Sequence, residues 1–235
     1  MKIKKLSDLE NHLPNINNYY NKLKDDKLRE HTYLSTYPEI IKFSQNSQLN
    51  DVQTFKMLAL MTYAWMPRVL RIDDEYLVCA ASQLSKAKDI TKNNYKEIKI
   101  QPIADCLHSL VGASKILHFI NPEVFPIWDS KIQIIVGENN NNYTMKKSEN
   151  YYRYVDIVYS LIENKKFYSF YKKYNQANHK RLKSMNIEQY DVSPVRAIEA
   201  SIFEMANNYS LDVHFNRMGT LQINSVSGVS IINAF

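Results

Sequence analysis

Glycine scarcity is the feature of this sequence that most restricts its fold. The 235 residues include four glycines, so few positions suit the tight turns on which β-hairpins depend. Apolar residues make up 45% of the chain, which is enough to bury a sizeable core. These two properties indicate a folded, mostly helical protein, and they exclude a disordered tail, a collagen-like fibre and a disulfide-stapled miniprotein.

Three windows repeat apolar residues at the 3.6-residue spacing of a helix. They cover Val52–Thr62, Tyr151–Ile162 and Val195–Met205. Ser193 and Pro194 precede the third window, where they supply an N-cap and a first helical residue. The sequence therefore predicts at least three amphipathic helices.

Other segments favour non-helical structure. Val69–Ile72 and the tail Leu211–Phe235 alternate better as short strands, and the polar run Glu138–Asn142 indicates a surface loop. The sequence contains no internal repeat and no Pro- or Gly-rich linker. We expect a mainly α fold with a few short strands, forming a single domain over residues 1–235. Whether that domain divides into two lobes stays open at this stage.

The sequence carries no sign of a membrane or of secretion. No run of eighteen apolar residues occurs, and the N-terminus lacks the apolar stretch of a secretory signal. The two cysteines, Cys79 and Cys106, have no Cys or His partners at metal-binding spacing. We expect both to be buried, reduced thiols in a cytoplasmic protein with no metal, no other cofactor and no membrane partner. The oligomeric state stays open.

Positive charge is concentrated in the segment Lys165–Lys183, which carries seven basic residues and no acidic one. Because the net charge of the chain is +6, the remaining residues sum to −1. Aromatic residues interleave with the charges, a pattern typical of a surface that binds nucleic acid. Taken alone, the pattern fits somewhat better with a solvated helix face whose rings turn toward the core. The basic residues are Lys165, Lys166, Lys172, Lys173, Lys180, Arg181 and Lys183.

The stretch after Pro102 predicts two short helices joined by a turn. We expect the first helix to end near Leu110, the turn to lie at Gly112, and the second helix to run to Ile120. Such a turn presents free backbone N–H groups that bind phosphate without reading sequence. These would be the amides of Gly112, Ala113 and Ser114.

Two short motifs follow one another in this region. Leu110–Lys115 reads Leu-Val-Gly-Ala-Ser-Lys, and Phe125–Asp129 reads Phe-Pro-Ile-Trp-Asp. In this order they resemble the signature of the helix-hairpin-helix DNA glycosylase superfamily, which includes the 8-oxoguanine and oxidised-pyrimidine glycosylases. The resemblance covers residues 102–136, between the halves of the chain. The second glycine of the usual hairpin is replaced here, and the 14-residue interval from Lys115 to Asp129 is about one helical turn short.

The resemblance implies a helical bundle containing the hairpin, and an enzyme that flips a damaged or modified base out of DNA and excises it. Lys115 would be the nucleophile, and Asp129 would stabilise the positive charge that develops on the sugar. Attack requires a neutral amine, so burial or a nearby positive charge should lower the pKa of Lys115. Trp65, Arg68 and Trp128 are candidates for a base pocket. A base modified by phages would imply antiviral defence, and a damaged base would imply DNA repair.

Other interpretations compete with this one. The chain fits a non-enzymatic nucleic-acid-binding module that uses the hairpin amides and the basic segment, and it also fits a protein-interaction subunit. Lys115 has the alternative of a surface lysine, and Asp129 that of a simple N-cap for the helix that follows. Arg196 and Glu199, three residues apart, favour an intrahelical ion pair. The acidic cluster at residues 73–75 favours a solvated turn over a metal-dependent nuclease site.

Overall fold

The computed structural model describes residues 6–15, 22–66, 68–136 and 145–206. Regular secondary structure in these ranges is helical, which confirms the mainly α prediction. The helices are α1 (Lys24–Gln45), α2 (Val52–Trp65), α3 (Leu77–Ala87), α4 (Ile100–Cys106), α5 (Leu110–Ile120), α6 (Ser130–Val136), α7 (Ser148–Ile162), α8 (Phe167–Ser184) and α9 (194–206). Short 3₁₀ turns occupy Leu6–His12 and Tyr95–Glu97.

Helix α5 lies at the centre of the packing. Every residue from Gly112 to Ile120 is buried, and the helix contacts α1, α2, α3 and α4. A helix that is apolar on all sides needs neighbours all round, and these four helices supply them. The stripes predicted from periodicity in α2, α7 and α9 are also buried against this core, so those three predictions are confirmed.

Side-chain caps set several helix boundaries. Ser193 Oγ accepts a hydrogen bond from Arg196 N at 3.0 Å, and α9 begins at residue 194, as predicted. Asp51 caps α2 in the same way by accepting from Thr54 N at 2.8 Å. Helix α5 ends at Ile120, directly before the Asn-Pro pair that predicted its end.

Helix α1 continues through Pro38, which has no backbone N–H to donate to the carbonyl four residues earlier. That carbonyl belongs to Leu34, and it accepts a hydrogen bond from the Tyr190 hydroxyl at 2.9 Å. A group left unpaired by the proline thereby ties the segment before α9 to α1.

Three sequence expectations are wrong. Val69–Ile72 forms no strand: no strand among the described residues lies beside it, and the Val69 side chain is 83% exposed. The turn between α4 and α5 occupies residues 107–109, so Gly112 lies within the first turn of α5. Cys79 is exposed, whereas Cys106 is buried as expected. Leu211–Phe235 and Glu138–Asn142 lie outside the described residues.

No single helix in the described part of the chain is both long and apolar enough to cross a membrane. Helices α4 and α5 meet the length and composition criteria only as a pair, and that pair is bent by 119°.

Candidate active site

Two helix caps hold Lys115 and Asp129 in fixed positions. Ser109 Oγ caps α5 by accepting from Gly112 N at 3.0 Å, which fixes the start of the helix that carries Lys115. Asp129 caps α6, since its Oδ1 accepts from Lys131 N at 3.0 Å. Each residue therefore lies at or close to the capped start of a helix.

A third contact joins the two anchors. The backbone N–H of Trp128 donates to Ser114 Oγ at 2.9 Å. These two residues immediately precede Asp129 and Lys115, so the bond ties the cap of α6 to the middle of α5. Ser114 was predicted to bind DNA, but it is fully buried and acts here as a brace between the two candidate catalytic residues.

The brace brings the predicted pair together. Lys115 Nζ lies 3.8 Å from Asp129 Oδ2, and the two side chains are 10% and 24% exposed. The two carboxylate oxygens of Asp129 have different contacts: Oδ1 caps α6, and Oδ2 faces the amine of Lys115. Lys115 is therefore not a surface lysine. Asp129 is an N-cap, as the alternative interpretation predicted, but it also contacts the amine of Lys115.

Trp65 forms one wall beside the amine. Lys115 Nζ lies 5.7 Å from the centroid of its ring, within cation–π range. The indole is held by a hydrogen bond from Nε1 to the Tyr33 carbonyl at 3.2 Å and by an edge contact with Phe119 at 5.3 Å. Trp65 is half-buried and Arg68 is exposed, so both predicted pocket residues border the partly open side of the site.

A buried ion pair lies behind the lysine. Arg196 and Glu199 form the intrahelical contact that their spacing predicts, and Glu199 is 2% exposed. Burial raises the pKa of Glu199, while Arg196 and Lys115 oppose that rise. Their burial beside Lys115 depends on how α9 packs, and the sequence offers no local signal for it.

The electrostatic environment moves Lys115 toward its neutral form. Burial lowers the pKa of its amine, and the carboxylates of Asp129 and Glu199 oppose that change. The guanidinium groups of Arg196 and Arg68 lower the pKa of Lys115 further. The direction agrees with the sequence prediction that burial and nearby positive charge should depress this pKa.

Trp128 does not border the open side of the site. It is 2% exposed, its Nε1 donates to the Met145 carbonyl at 3.2 Å, and its ring packs 5.3 Å from that of Tyr154. In this conformation Trp128 has no accessible ring surface to offer a base, so its predicted place in a base pocket is wrong. Trp128 belongs to the core because Met145 and the Tyr154 ring of α7 pack against it.

The predicted hairpin amides are not presented to solvent. Gly112 and Ala113 are buried, and their N–H groups donate to the Oγ and the carbonyl of Ser109. Gly112 has a packing role instead, because a Cβ at this position would lie 2.7 Å from the Tyr63 hydroxyl. That hydroxyl donates to the Leu107 carbonyl at 3.1 Å and so braces the turn before α5.

The basic segment forms the outer face of α8 and the residues just before it. Six of its lysines are exposed, whereas Arg181 is half-buried with a hydrogen bond of 2.8 Å to Asn178. The exposed lysines are Lys165, Lys166, Lys172, Lys173, Lys180 and Lys183. Of the interleaved rings, Phe170 and Tyr174 are buried and Tyr168 is 77% exposed. The lysines thus form a solvated face, and most of the aromatic surface faces the core.

His118 is buried in the core on α5. The carbonyl of Phe125 can only accept, so His118 Nδ1 donates to it at 2.7 Å and Nε2 accepts from the Tyr37 hydroxyl at 2.8 Å. Burial, together with the positive charge of Arg196, lowers the pKa of His118 to about 3. The ring therefore stays neutral and has no free nitrogen for a proton shuttle.

The fold and the site define a mainly α protein with a part-buried lysine–carboxylate pair at the junction of α5 and α6. No protein-family model, curated protein or solved structure matches the chain. Within residues 6–15, 22–66, 68–136 and 145–206, no group of three or more His, Cys, Asp or Glu side chains is placed to hold a metal ion.

Proposed function

We propose that this protein is a DNA N-glycosylase that uses Lys115 as its nucleophile and Asp129 to stabilise the developing sugar cation. The observation that carries the proposal is the 3.8 Å separation of Lys115 Nζ and Asp129 Oδ2 in a mostly desolvated corner. Lys115 lies on the second of two short helices that are bent by 119°, and Asp129 follows them, an arrangement that supports the resemblance to the helix-hairpin-helix glycosylases.

The first step forms a bond from the lone pair of Lys115 Nζ to the anomeric carbon C1′. The bond from C1′ to the base breaks at the same time, and its electron pair leaves with the base, which takes a proton from solvent. The alkylated amine then gives up a proton to Asp129. A low dielectric strengthens the attraction between the Asp129 carboxylate and the sugar cation, so partial burial favours this step.

Opening of the sugar ring converts the adduct into an imine. Loss of a C2′ proton then allows β-elimination: the C3′–O bond breaks, and its electron pair leaves with the 5′ phosphate of the downstream part of the strand. Hydrolysis of the imine restores the amine of Lys115. No step needs a redox partner, and each proton moves between the substrate, the two named residues and water.

The target in this proposal is a nucleotide that leaves the base stack readily, because the enzyme must rotate it out before attack. Trp65, half-buried beside the amine, offers ring surface for the extruded base. A damaged base would make the protein a repair enzyme, and a phage-type modified base would make it a defence enzyme.

Borohydride trapping tests the proposal directly. Purified protein is incubated with duplexes that carry an oxidised purine, an oxidised pyrimidine, a phage-type modified pyrimidine or an abasic site, and the imine is reduced to a stable adduct. We expect the Lys115→Met variant to lose at least about 10³-fold in adduct formation. Lys86→Met, at an exposed lysine of α3, is the matched control and should trap like the wild type.

Two outcomes would overturn the assignment. If the wild-type protein neither releases a base nor traps on any of these substrates, the chain is not a glycosylase of this kind. If Lys115→Met traps as well as the wild type, Lys115 is not the nucleophile.

A second candidate function is a non-enzymatic module that binds nucleic acid. The six exposed lysines on and before α8 favour it, because such a face attracts phosphates without base contacts. Salt-dependent binding that survives both Lys115→Met and Asp129→Asn, with no base released and no strand cut, would favour this module over the enzyme.

A further inference from the structure

Three arginines line an open groove between α1 and the connection that follows α2. Arg29 comes from the second turn of α1, and Arg68 and Arg71 come from the connection between α2 and α3. Met66 and Val69 add apolar surface, and the groove encloses about 580 Å³. Because these segments lie about forty residues apart in the sequence, only the tertiary structure brings the three arginines to one groove.

The positive charge in this groove has no described counter-charge. None of the described lining residues is acidic, and no described carboxylate lies within 4.0 Å of a guanidinium nitrogen of Arg29, Arg68 or Arg71. Like charges that converge in this way repel one another unless an anion joins them. The planar fork of arginine fits phosphate oxygens in pairs, which makes phosphate the anion best suited to this groove.

A run of aromatic rings connects the groove to the candidate active site. The Arg29 guanidinium lies 5.2 Å from the Tyr33 ring, which lies 5.3 Å from the Trp65 ring. At the other end of this series of rings, the Lys115 amine lies 5.7 Å from the Trp65 ring centroid. Arg68 also contributes to the lowered pKa of Lys115, so the groove and the lysine share one electrostatic environment.

The shape of the groove favours a continuous strand over a free nucleotide. Small-molecule sites usually bury most of their ligand in a concave pocket, whereas this groove stays open to solvent. Three separate guanidinium groups exceed the needs of one terminal phosphate and suit successive phosphates along a backbone. Met66 and Val69 supply apolar surface for the sugars between those phosphates.

We propose that this arginine groove binds consecutive phosphates of the DNA strand that carries the excised nucleotide, next to the sugar that Lys115 attacks. The assignment of the strand rests on the proposed glycosylase function. The groove has a positioning role: it holds the backbone on one side of the pair while the nucleotide turns toward Lys115 and Trp65.

The test measures binding of the whole protein to a duplex that carries a tetrahydrofuran abasic analogue, which cannot form an imine. For the double variant Arg29→Gln/Arg71→Gln we expect a shallower dependence of log K on log salt concentration. The magnitude of the negative slope should decrease by about 2, one for each lost phosphate contact. Arg153→Gln, at an exposed arginine of α7 outside the groove, is the matched control and should keep the wild-type slope. Thermal melts check that all variants fold.

Single methylphosphonates then locate the contacts. Neutral linkages are placed one at a time on either side of the abasic analogue, in the target strand or in the opposite strand. Wild-type binding should weaken at two or three adjacent positions of the target strand, and Arg29→Gln/Arg71→Gln should lose that sensitivity. Inorganic phosphate and a deoxynucleoside monophosphate, added at constant ionic strength, should fail to compete.

The outcomes separate this inference from the function on which it rests. An unchanged salt slope, sensitivity confined to the opposite strand, or competition by the free nucleotide that depends on Arg29 and Arg71 would each overturn the groove assignment. If the wild type traps with borohydride while the slope is unchanged, the glycosylase proposal stands and the groove assignment fails. If the slope falls but no substrate is trapped, the glycosylase proposal fails, and the target-strand assignment fails with it.

Discussion

Two lysine-bearing regions of this molecule differ in almost every physical respect. Lys115 lies within the packed interior, 8% exposed, between Asp129, Trp65 and the Arg196–Glu199 pair. The lysines of α8 stand in water on the outer face of their helix. Lysine is therefore mostly desolvated in one region and fully hydrated in the other.

Solvation decides what each region can do. Burial lowers the pKa of the Lys115 amine and makes its neutral, nucleophilic form more accessible. On α8, Lys173 lies 4.0 Å from Glu10, and an exposed contact of this kind contributes about 1 kcal/mol or less. The number of exposed basic residues therefore predicts attraction to nucleic acid, whereas nucleophilic attack by a lysine requires that its amine be desolvated.

After loss of the Lys115 amine itself, the largest effect should come from Asp129→Asn, which removes the charge that faces Lys115. We expect base release to fall by about 10²–10³-fold, as for loss of one transition-state stabilising group. The neutral amine is the active form, so the rate rises as the pH rises through the pKa of Lys115. Because the Asp129 carboxylate raises this pKa, its removal should shift the acid limb of the pH–rate profile to lower pH.

Asparagine also caps helices, so α6 should keep its start in this variant. A lower rate with an unshifted acid limb would show that Asp129 does not act on the Lys115 amine, and the contrast between the two regions would lose its catalytic side.

A smaller effect is expected from Gly112→Ala, which probes how tightly the buried region is packed. The added Cβ would lie 2.7 Å from the Tyr63 hydroxyl oxygen. We expect the free energy of unfolding to fall by about 1–3 kcal/mol, measured by urea denaturation. Adding Tyr63→Phe should restore only part of it, since ring carbons still lie 3.0 and 3.1 Å away. Full stability in Gly112→Ala alone would show that the turn before α5 can shift.

The smallest effect on stability should follow neutralisation of the exposed face, by Lys172→Gln, Lys173→Gln, Lys180→Gln and Lys183→Gln. Each substitution should change the free energy of unfolding by less than about 0.5 kcal/mol. If this face contacts DNA, the slope of log K against log salt concentration should decrease in magnitude by about 1 for each substituted lysine that contacts a phosphate. A loss of several kcal/mol would contradict the description of these lysines as a solvated face.

Local features of the sequence predicted the local structure well. Scarce glycine and the 3.6-residue stripes predicted helices that the structure confirms, and the caps Ser193 and Asp129 lie where the pattern placed them. These properties depend on neighbours within about four residues, so a linear chain displays them directly. The strand predicted at Val69–Ile72 failed because a strand needs a partner from elsewhere in the chain.

The order of Lys115 and Asp129 was visible in the sequence, but the 3.8 Å contact between their charged groups was not. Their contact depends on the bond between Trp128 and Ser114 and on the packing of α5 among four other helices. The same holds for the packing role of Gly112, which was mistaken for a turn residue because its partner, Tyr63, lies 49 residues earlier.

The helical class, the helix caps and the order of Lys115 and Asp129 follow from short stretches of sequence. Which charges leave water, which carboxylates face the amine and which distant arginines share a groove depends on how the helices pack. Helix formation is governed by short-range geometry, whereas desolvation and Coulomb interactions depend on every segment that packs around a group.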